Sequence, residues 1–147
     1  MIDDAAGDHA VRARRESVDA VGCEHATPIP AASRIGPFLA SSLVAPFDVG
    51  SRSVPDGADA QVANVFERAG LVLGAAGLEW ADVLRMTFHV ADPSSREAID
   101  RAWLVRFPDE RHRPARMTLT GPLPDGVEVQ GEFLAVAPAA ADVEGGR

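Results

Sequence analysis

Residues 113–136 read RPARMTLTGPLPDGVEVQGEFLAV. The pattern predicts two strands joined by a connection rich in Pro and Gly. Arg116 lies at the start of the first strand, two residues after Pro114. A guanidinium keeps its proton in proteins, and its planar fork matches a carboxylate. We therefore interpret Arg116 as a candidate clamp for a carboxylate-bearing ligand, with a solvated surface arginine as the alternative.

Three shorter candidate strands precede this pair. The first covers residues 17–21, and two more lie within residues 32–43, turning at Gly36 and Pro37. Residues 44–59 follow as a long polar loop. A loop of that length commonly has a function or lies across a partner.

Two helices are predicted between the early and the late strands. The first has Asp56 as its N-cap and ends at Gly77 in a left-handed conformation. The second begins near Ser94, where S-S-R-E supplies a capping box ending in Glu97, and it stops at Pro108. The apolar stripe of the first helix consists of Val62, Phe66, Ala69, Leu73 and Ala76.

Residues 82–91, DVLRMTFHVA, alternate as a half-buried strand does. The alternation assigns two faces, one with Val83, Arg85, Thr87 and His89, the other with Leu84, Met86, Phe88 and Val90.

The predicted order, β-β-β-α-β-α-β-β, indicates an α+β fold with one sheet and both helices on one of its faces. The other face carries Val127, Val129 and Phe133 or their alternates. An apolar face of that size needs a cover, so we expect self-association, with polar residues of these strands marking pockets between subunits.

Composition narrows the class of function. The chain has 147 residues and a formal charge of −8, and every one of its 14 basic residues is arginine. The absence of Lys excludes a lysine Schiff base, and the acidic balance disfavours nucleic acid as a partner and RNA cleavage as an activity.

The single Cys23 cannot form an internal disulfide, which favours a reducing, cytoplasmic compartment. Cys23 is also a possible nucleophile, although a lone loop cysteine is more often incidental.

The domain boundaries follow from the same composition. We expect a flexible extension over residues 1–14, one domain over 15–137 and a flexible tail over 138–147. No apolar run is long enough for a membrane span. No pair of histidines has metal-ligand spacing and one cysteine cannot build a zinc site, so neither a metal nor another cofactor is expected.

Five stretches together resemble the RidA/YjgF family of enamine and imine deaminases, over about residues 16–137. They are RIGPFLASS (34–42), the helix of residues 59–77, DVLRMTFHVAD (82–92), RPAR (113–116) and LPDGVEVQGE (123–132). The resemblance implies a chorismate-mutase-like α+β fold, assembled as a homotrimer with a barrel-like core and sites at the subunit interfaces. It places Arg116 on the family's carboxylate-binding arginine, with backbone near Ser41 and Ser42 adding hydrogen bonds.

The chain departs from the family pattern at four site positions. Ile29 stands where the family has a tyrosine, and Gln130 where a glutamate positions the hydrolytic water. Thr118 replaces a frequent cysteine, and Asp100 replaces an asparagine on the second helix. Glutamine can hold a water but cannot accept a proton at neutral pH, so the usual hydrolytic apparatus is depleted.

Other acids are candidate replacements for the missing base. Glu128 and Glu132 share a strand face with Gln130, and Asp100 lies on the helix. Structural ion pairs and a solvated helix face are the alternative roles for these residues. His89 also lies on a potential pocket face, where a hydrogen-bonded structural histidine is the alternative.

We therefore predict a homotrimer that binds a small carboxylate through Arg116 and hydrolyses or rearranges an imine, enamine or similar labile intermediate, in a role that fits specialised biosynthesis. The alternative is a non-catalytic binding or scaffolding trimer. A pericyclic or lyase activity on a diacid would need further cationic anchors, for which Arg34, Arg85 and Arg113 are available. These hypotheses fail if the Arg116 guanidinium points to bulk solvent, or if it is locked to a protein acid with no cavity beside it.

Overall fold

The computed structural model describes residues 14–139, so most of the predicted extension and tail lies outside the described residues. Strands and helices follow the predicted order. No helix in this range combines the length and the apolar character needed to cross a membrane. The elements are β1 (Arg15–Val18), β2 (Ala32–Ile35), β3 (Phe38–Ser41), α1 (Ala58–Ala75), β4 (Val83–Val90), α2 (Arg96–Arg106), β5 (Ala115–Thr120) and β6 (Val129–Val136).

The strands form one mixed sheet in the order β1-β2-β3-β6-β4-β5. Only β4 and β5 pair in parallel, and the other neighbours are antiparallel. Phe88 of β4 contacts Phe66 of α1 and Trp103 of α2, with ring centroids 5.8 and 6.4 Å away. Both helices therefore cover the same face, which confirms the predicted α+β fold of a single sheet with two helices on one side.

The core lies between this sheet face and the helices. The apolar stripe predicted for α1 is buried at every position. Trp80 joins the core aromatics, with its ring centroid 5.6 Å from that of Phe66 and 5.9 Å from that of Phe107. Burial of so much aromatic surface is a large favourable term for a chain of this size.

Within residues 14–139 no helix covers the second face of the sheet, and we call it the open face. On β6 the residues beneath the helices are Val129, Gly131, Phe133 and Ala135. Val127 is buried as well. The open face is therefore formed by the residues that alternate with Val127, Val129 and Phe133, and not by these three. These alternates are Gln130, Glu132, Leu134 and Val136.

The alternation predicted for β4 does not hold at the start of the strand, between Val83 and Arg85. Val83 pairs with Ala135 and Arg85 with Leu134, so Leu84 is an extra residue with no partner of its own. Such a bulge shifts the following residues to the opposite face. Leu84 is consequently 59% exposed on the open face instead of sharing the covered face with Met86. Val83 is buried on the covered face and does not share a face with Arg85, so the prediction was wrong for both residues.

The start of β1 and the caps of α1 and α2 also differ from those predicted. The first strand spans Arg15–Val18, two residues earlier than predicted at its start. Gly57, at φ 90°, is the N-cap of α1 in place of Asp56, and Gly77 has the expected left-handed φ of 74°. The predicted Ser94–Glu97 capping box was wrong, because α2 begins at Arg96 and its N-cap, Ser95, makes no side-chain cap. The side chain of Asp92 instead accepts a hydrogen bond from the Ser94 amide in the preceding turn.

Gly131 marks the closest approach of α1 to the sheet. A Cβ at this position would lie 2.9 Å from Val65 Cγ1, and Val65 is fully buried and unable to move aside. We expect Gly131→Ala to lower the free energy of unfolding by about 1–3 kcal/mol through overpacking. Gly74→Ala is the matched control, because this helical glycine faces open space and alanine there should raise stability by up to about 1 kcal/mol. Urea denaturation of the full chain measures both, and an unchanged midpoint for Gly131→Ala would contradict the close packing.

Candidate functional site

Arg116 lies on β5, an edge strand, and pairs with Met86 in parallel register, which places it on the helix-covered face. Its Nη2 atom donates a hydrogen bond to Oδ1 of Asp100 on α2, at 2.5 Å. The guanidinium carbon lies 5.1 Å from the ring centroid of Trp103. Only 24% of the Arg116 side chain is exposed. The guanidinium is therefore held in place by an acid at its edge and an aromatic ring at its face.

This geometry differs from the free clamp that the sequence suggested. In a single chain the positive charge of Arg116 is already paired with Asp100, and Arg116 lines neither of the open-face cavities described below. A guanidinium carries several N–H donors in a planar fork, and the contact to Asp100 uses Nη2. A ligand carboxylate would thus bind beside Asp100, or in its place.

A second arginine lies next to this pair. Thr118 is on the same face of β5 as Arg116, and its carbonyl oxygen accepts a hydrogen bond from Nη2 of Arg96, at 3.2 Å. Arg96 and Asp100 are four residues apart on α2, a spacing that puts both on one side of the helix. We call these four residues, Arg96, Asp100, Arg116 and Thr118, the α2–β5 seam. Two arginines and one aspartate give it a net positive charge.

Gln130 and Glu132 lie on the opposite face of the sheet from Arg116. In the register of β4 and β6, Gln130 pairs with His89 and Glu132 with Thr87, all of them on the open face. Oε2 of Glu132 is 3.8 Å from Nε2 of His89. The structure therefore brings Asp100, Arg116 and Thr118 together, and it separates them from Gln130 and Glu132 within one chain.

Two cavities indent the open face. One has a volume of about 210 Å³ and a polar lining that includes Arg85, Thr87 and Glu132, with Ser41 at its edge. The other, of about 260 Å³, is apolar and is lined by residues that include Phe38, Leu84 and Leu134. The open face therefore has an apolar cavity and a charged cavity, side by side.

The remaining predicted ligand contacts have structural partners. The Ser41 hydroxyl accepts a hydrogen bond from the Phe133 amide at 2.8 Å, and the Ser42 hydroxyl donates one to the Pro30 carbonyl at 2.7 Å. Ile29 lies in the loop before β2, and nearly half of its surface is exposed. These three residues are thus not gathered around Arg116 in the single chain.

The other arginines considered as diacid anchors are also dispersed. Arg34 donates to the Ala76 carbonyl at 3.0 Å, and Arg113 donates to the Phe107 carbonyl at 2.9 Å. Both side chains thus bind carbonyl oxygens that the helix ends leave unpaired. Arg85 lies on the open face, away from Arg116. A diacid site around Arg116 would therefore need cationic side chains other than Arg34, Arg85 and Arg113.

Cys23 does not have the surroundings of a nucleophile. It is buried, and burial raises the pKa of its thiol although the nearby Arg68 guanidinium acts in the opposite direction. A raised pKa disfavours the reactive thiolate. Across residues 14–139, no group of three His, Cys, Asp or Glu side chains is arranged to hold a metal ion.

Two residues around Arg116 were not identified from the sequence. The Trp103 ring supports the Arg116 guanidinium, and it was not assigned to the site. Arg96 was not considered. Trp103 lies three residues after Asp100, and Arg96 lies four residues before it. This helical spacing is the signal that would have placed all three residues on one side of α2.

Solved structures with the same fold support the architecture. The YjgF gene product of E. coli is 21% identical, with a TM-score of 0.76 over 84% of this chain and 99% of that one. E. coli TdcF with bound serine has the same identity, TM-score and coverage. YyfA of Yersinia pestis, a protein of the conserved Rid family, is 18% identical, with a TM-score of 0.77 over 84% of this chain and 99% of its own. At these identities the likeness establishes the fold alone.

Sequence comparison establishes the family. No curated protein matches the chain. A family model described as Endoribonuclease L-PSP matches residues 25–137, which is most of the chain and includes every element from β2 to β6. This chain therefore belongs to the Endoribonuclease L-PSP family, also called the YjgF/RidA family.

Proposed function

We propose that this chain forms a homotrimer whose interface pockets bind a small carboxylate-bearing imine or enamine through Arg116 and hydrolyse or rearrange it. The observation that carries the proposal is the Arg116 guanidinium, which is fixed on an edge strand by Asp100 and Trp103 and remains partly accessible. A rigidly held guanidinium loses little entropy when it binds a carboxylate, and bidentate geometry favours that ligand.

The open face supplies a reason for assembly. It exposes five large apolar side chains, next to a cavity that carries the charged residues Arg85 and Glu132. Patches of this kind mark interaction surfaces, and a surface that carries both charges can pair with another copy of the same chain. The exposed apolar residues of this face are Ile35, Phe38, Leu84, Met117 and Leu119.

The positions of the site residues favour a ring over a symmetric dimer. Arg116 and Gln130 lie on opposite faces of one sheet, so they share a pocket only if the open face of one copy packs against the α2–β5 seam of the next. Opposite faces of a rigid sheet cannot both contact the same partner. Contacts of this head-to-tail kind close into rings, of which a trimer is the smallest.

The proposed chemistry is that of imine hydrolysis. Arg116 holds the substrate carboxylate, and Gln130 of the adjacent copy orients a water by hydrogen bonds. The water oxygen adds to the imine carbon while its proton passes, by way of the substrate's own carboxylate, to the nitrogen. In the resulting carbinolamine the hydroxyl proton passes to the nitrogen by the same route as the carbon–nitrogen bond breaks, which releases ammonia and leaves a 2-oxo acid. TdcF, with its bound serine, is a related protein that holds a small carboxylate-bearing molecule, which supports this class of ligand.

A second candidate function is ligand binding without catalysis. It is favoured by Gln130, which cannot accept a proton, and by the apolar Ile29 in the position of a family tyrosine. In this case Arg116 would still anchor a carboxylate, and the ligand would leave unchanged.

Turnover of imines generated in situ by an amino-acid oxidase distinguishes the two functions. We expect the full chain to accelerate ammonia release, and we expect Gln130→Glu to raise the rate about tenfold or more, because it supplies a general base. Glu67→Gln, at an exposed position on α1, is the control and should leave the rate unchanged. If the wild type shows no turnover while carboxylates still stabilise it through Arg116, the binding function is correct and the catalytic one is wrong.

A further inference from the structure

The Arg116–Asp100 pair presents opposite charges side by side at the edge of the sheet. The Asp100 side chain is 56% exposed, so its second oxygen can meet a ligand that also reaches the guanidinium. Trp103 holds the guanidinium from its face, which leaves the edge beside Asp100 as the direction of approach. A molecule bound there faces a cation and an anion at the same time.

This arrangement treats different carboxylates differently. A ligand with only a carboxylate must compete with Asp100 for Arg116, and it places two like charges close together. A ligand with a carboxylate and a positive nitrogen bonds to both partners, because its ammonium or iminium group accepts Asp100 as its own counter-ion. The four charges then alternate in sign.

The pair is not explained by a structural role alone. A comparable surface pair, Arg101 with Asp59, joins α2 to α1, and both of its side chains are well exposed. Exposed pairs of this kind contribute little to stability. Arg116 differs because it is largely enclosed and supported by an aromatic ring, so its remaining donors have one fixed direction. Arg96 keeps the seam net positive, so a zwitterion with its carboxylate towards the arginines is still attracted.

The geometry points to Asp100 as a specificity-determining residue: we propose that it makes the Arg116 site selective for small molecules that carry both a carboxylate and a positively charged nitrogen. α-Amino acids and protonated imines belong to this class, and 2-oxo acids do not. The inference rests on the proposed function, because it takes Arg116 as the carboxylate anchor, and it adds the second charge that the ligand must carry.

Calorimetric titration of the full chain with alanine and with pyruvate tests the selectivity, since the two probes have the same carbon skeleton and differ in the amine. We expect the wild type to bind alanine about tenfold tighter than pyruvate, and Asp100→Asn to remove or reverse that preference. Asp59→Asn removes the carboxylate of the other surface pair in the same way, and it should leave the preference unchanged.

Tryptophan fluorescence locates the binding event. The chain has two tryptophans, so Trp103, beneath the guanidinium, is the only reporter in a Trp80→Phe background. Alanine should change its emission, and Arg116→Gln should remove that change.

The outcomes separate this inference from the proposed function. A preference for alanine that is lost in Asp100→Asn and kept in Asp59→Asn supports it. Equal binding of the two probes, or a preference that Asp100→Asn leaves intact, overturns it, and the anchor survives if Arg116→Gln still abolishes binding. If neither probe binds, or if Arg116→Gln binds as the wild type does, both the inference and the proposed function are wrong.

Discussion

Arg116→Ala is expected to abolish carboxylate binding and imine turnover, with a loss of about a hundred- to a thousandfold or more. The guanidinium is the one cation that Trp103 and Asp100 hold in a fixed orientation within the seam. Truncation removes a charge-assisted bidentate contact, and such contacts are worth about 2–5 kcal/mol when they are shielded from water. Calorimetric titration with small carboxylates and the ammonia-release assay measure the two losses.

Arg101→Ala is the matched control for this substitution. Arg101 is also an arginine paired with an aspartate through Nη2, but its partner is Asp59 and its side chain is 61% exposed. Both substitutions remove one positive charge from the same region, so general electrostatic attraction changes equally. Equal effects of the two variants on binding would mean that Arg116 is not the anchor. Thermal melting of each variant without ligand checks that the fold is intact.

The fold was predictable to the extent that it depends on periodicity. The apolar stripe of α1 has a single interpretation, and its buried side chains confirm it. The bulge at Leu84 was not predictable, because one extra residue shifts the pairing without changing the alternating pattern of residue types. The N-cap of α1 was misplaced for a similar reason, since Asp56 and Gly57 are both acceptable caps and the loop before them decides between the two.

The candidate site was predictable only in part. Arg116 and Asp100 were identified separately, on a strand and on a helix, and their contact depends on how α2 lies across the edge of the sheet. The period of two in a strand predicts that Gln130 and Glu132 share a face, and the register of β4 and β6 supports this. The period does not show whether Arg116, on another strand, shares that face. The relation between two strands that are not neighbours requires the complete sheet order.

Leu84→Asp is expected to dissociate the proposed trimer into monomers. Leu84 projects from the bulge of β4 into the apolar cavity of the open face, beside Phe38 and Leu134. An unpaired carboxylate buried between subunits costs about 3 kcal/mol or more at each interface, which weakens association by on the order of a hundredfold. Analytical ultracentrifugation of the full chain should give three times the chain mass for the wild type and a single chain mass for the variant.

Leu71→Asp supplies the matched comparison on the opposite side of the molecule. Leu71 is 41% exposed on the outer surface of α1, so the substitution introduces the same charge at a partly exposed leucine that the open face does not include. A ring built on the open face requires that Leu71→Asp keep the wild-type mass and its turnover, while Leu84→Asp loses both. Dissociation by Leu71→Asp alone would assign the interface to the helices. A monomeric wild type that still binds carboxylates would show that Arg116 acts without a second copy, and that Gln130 has no part in the site.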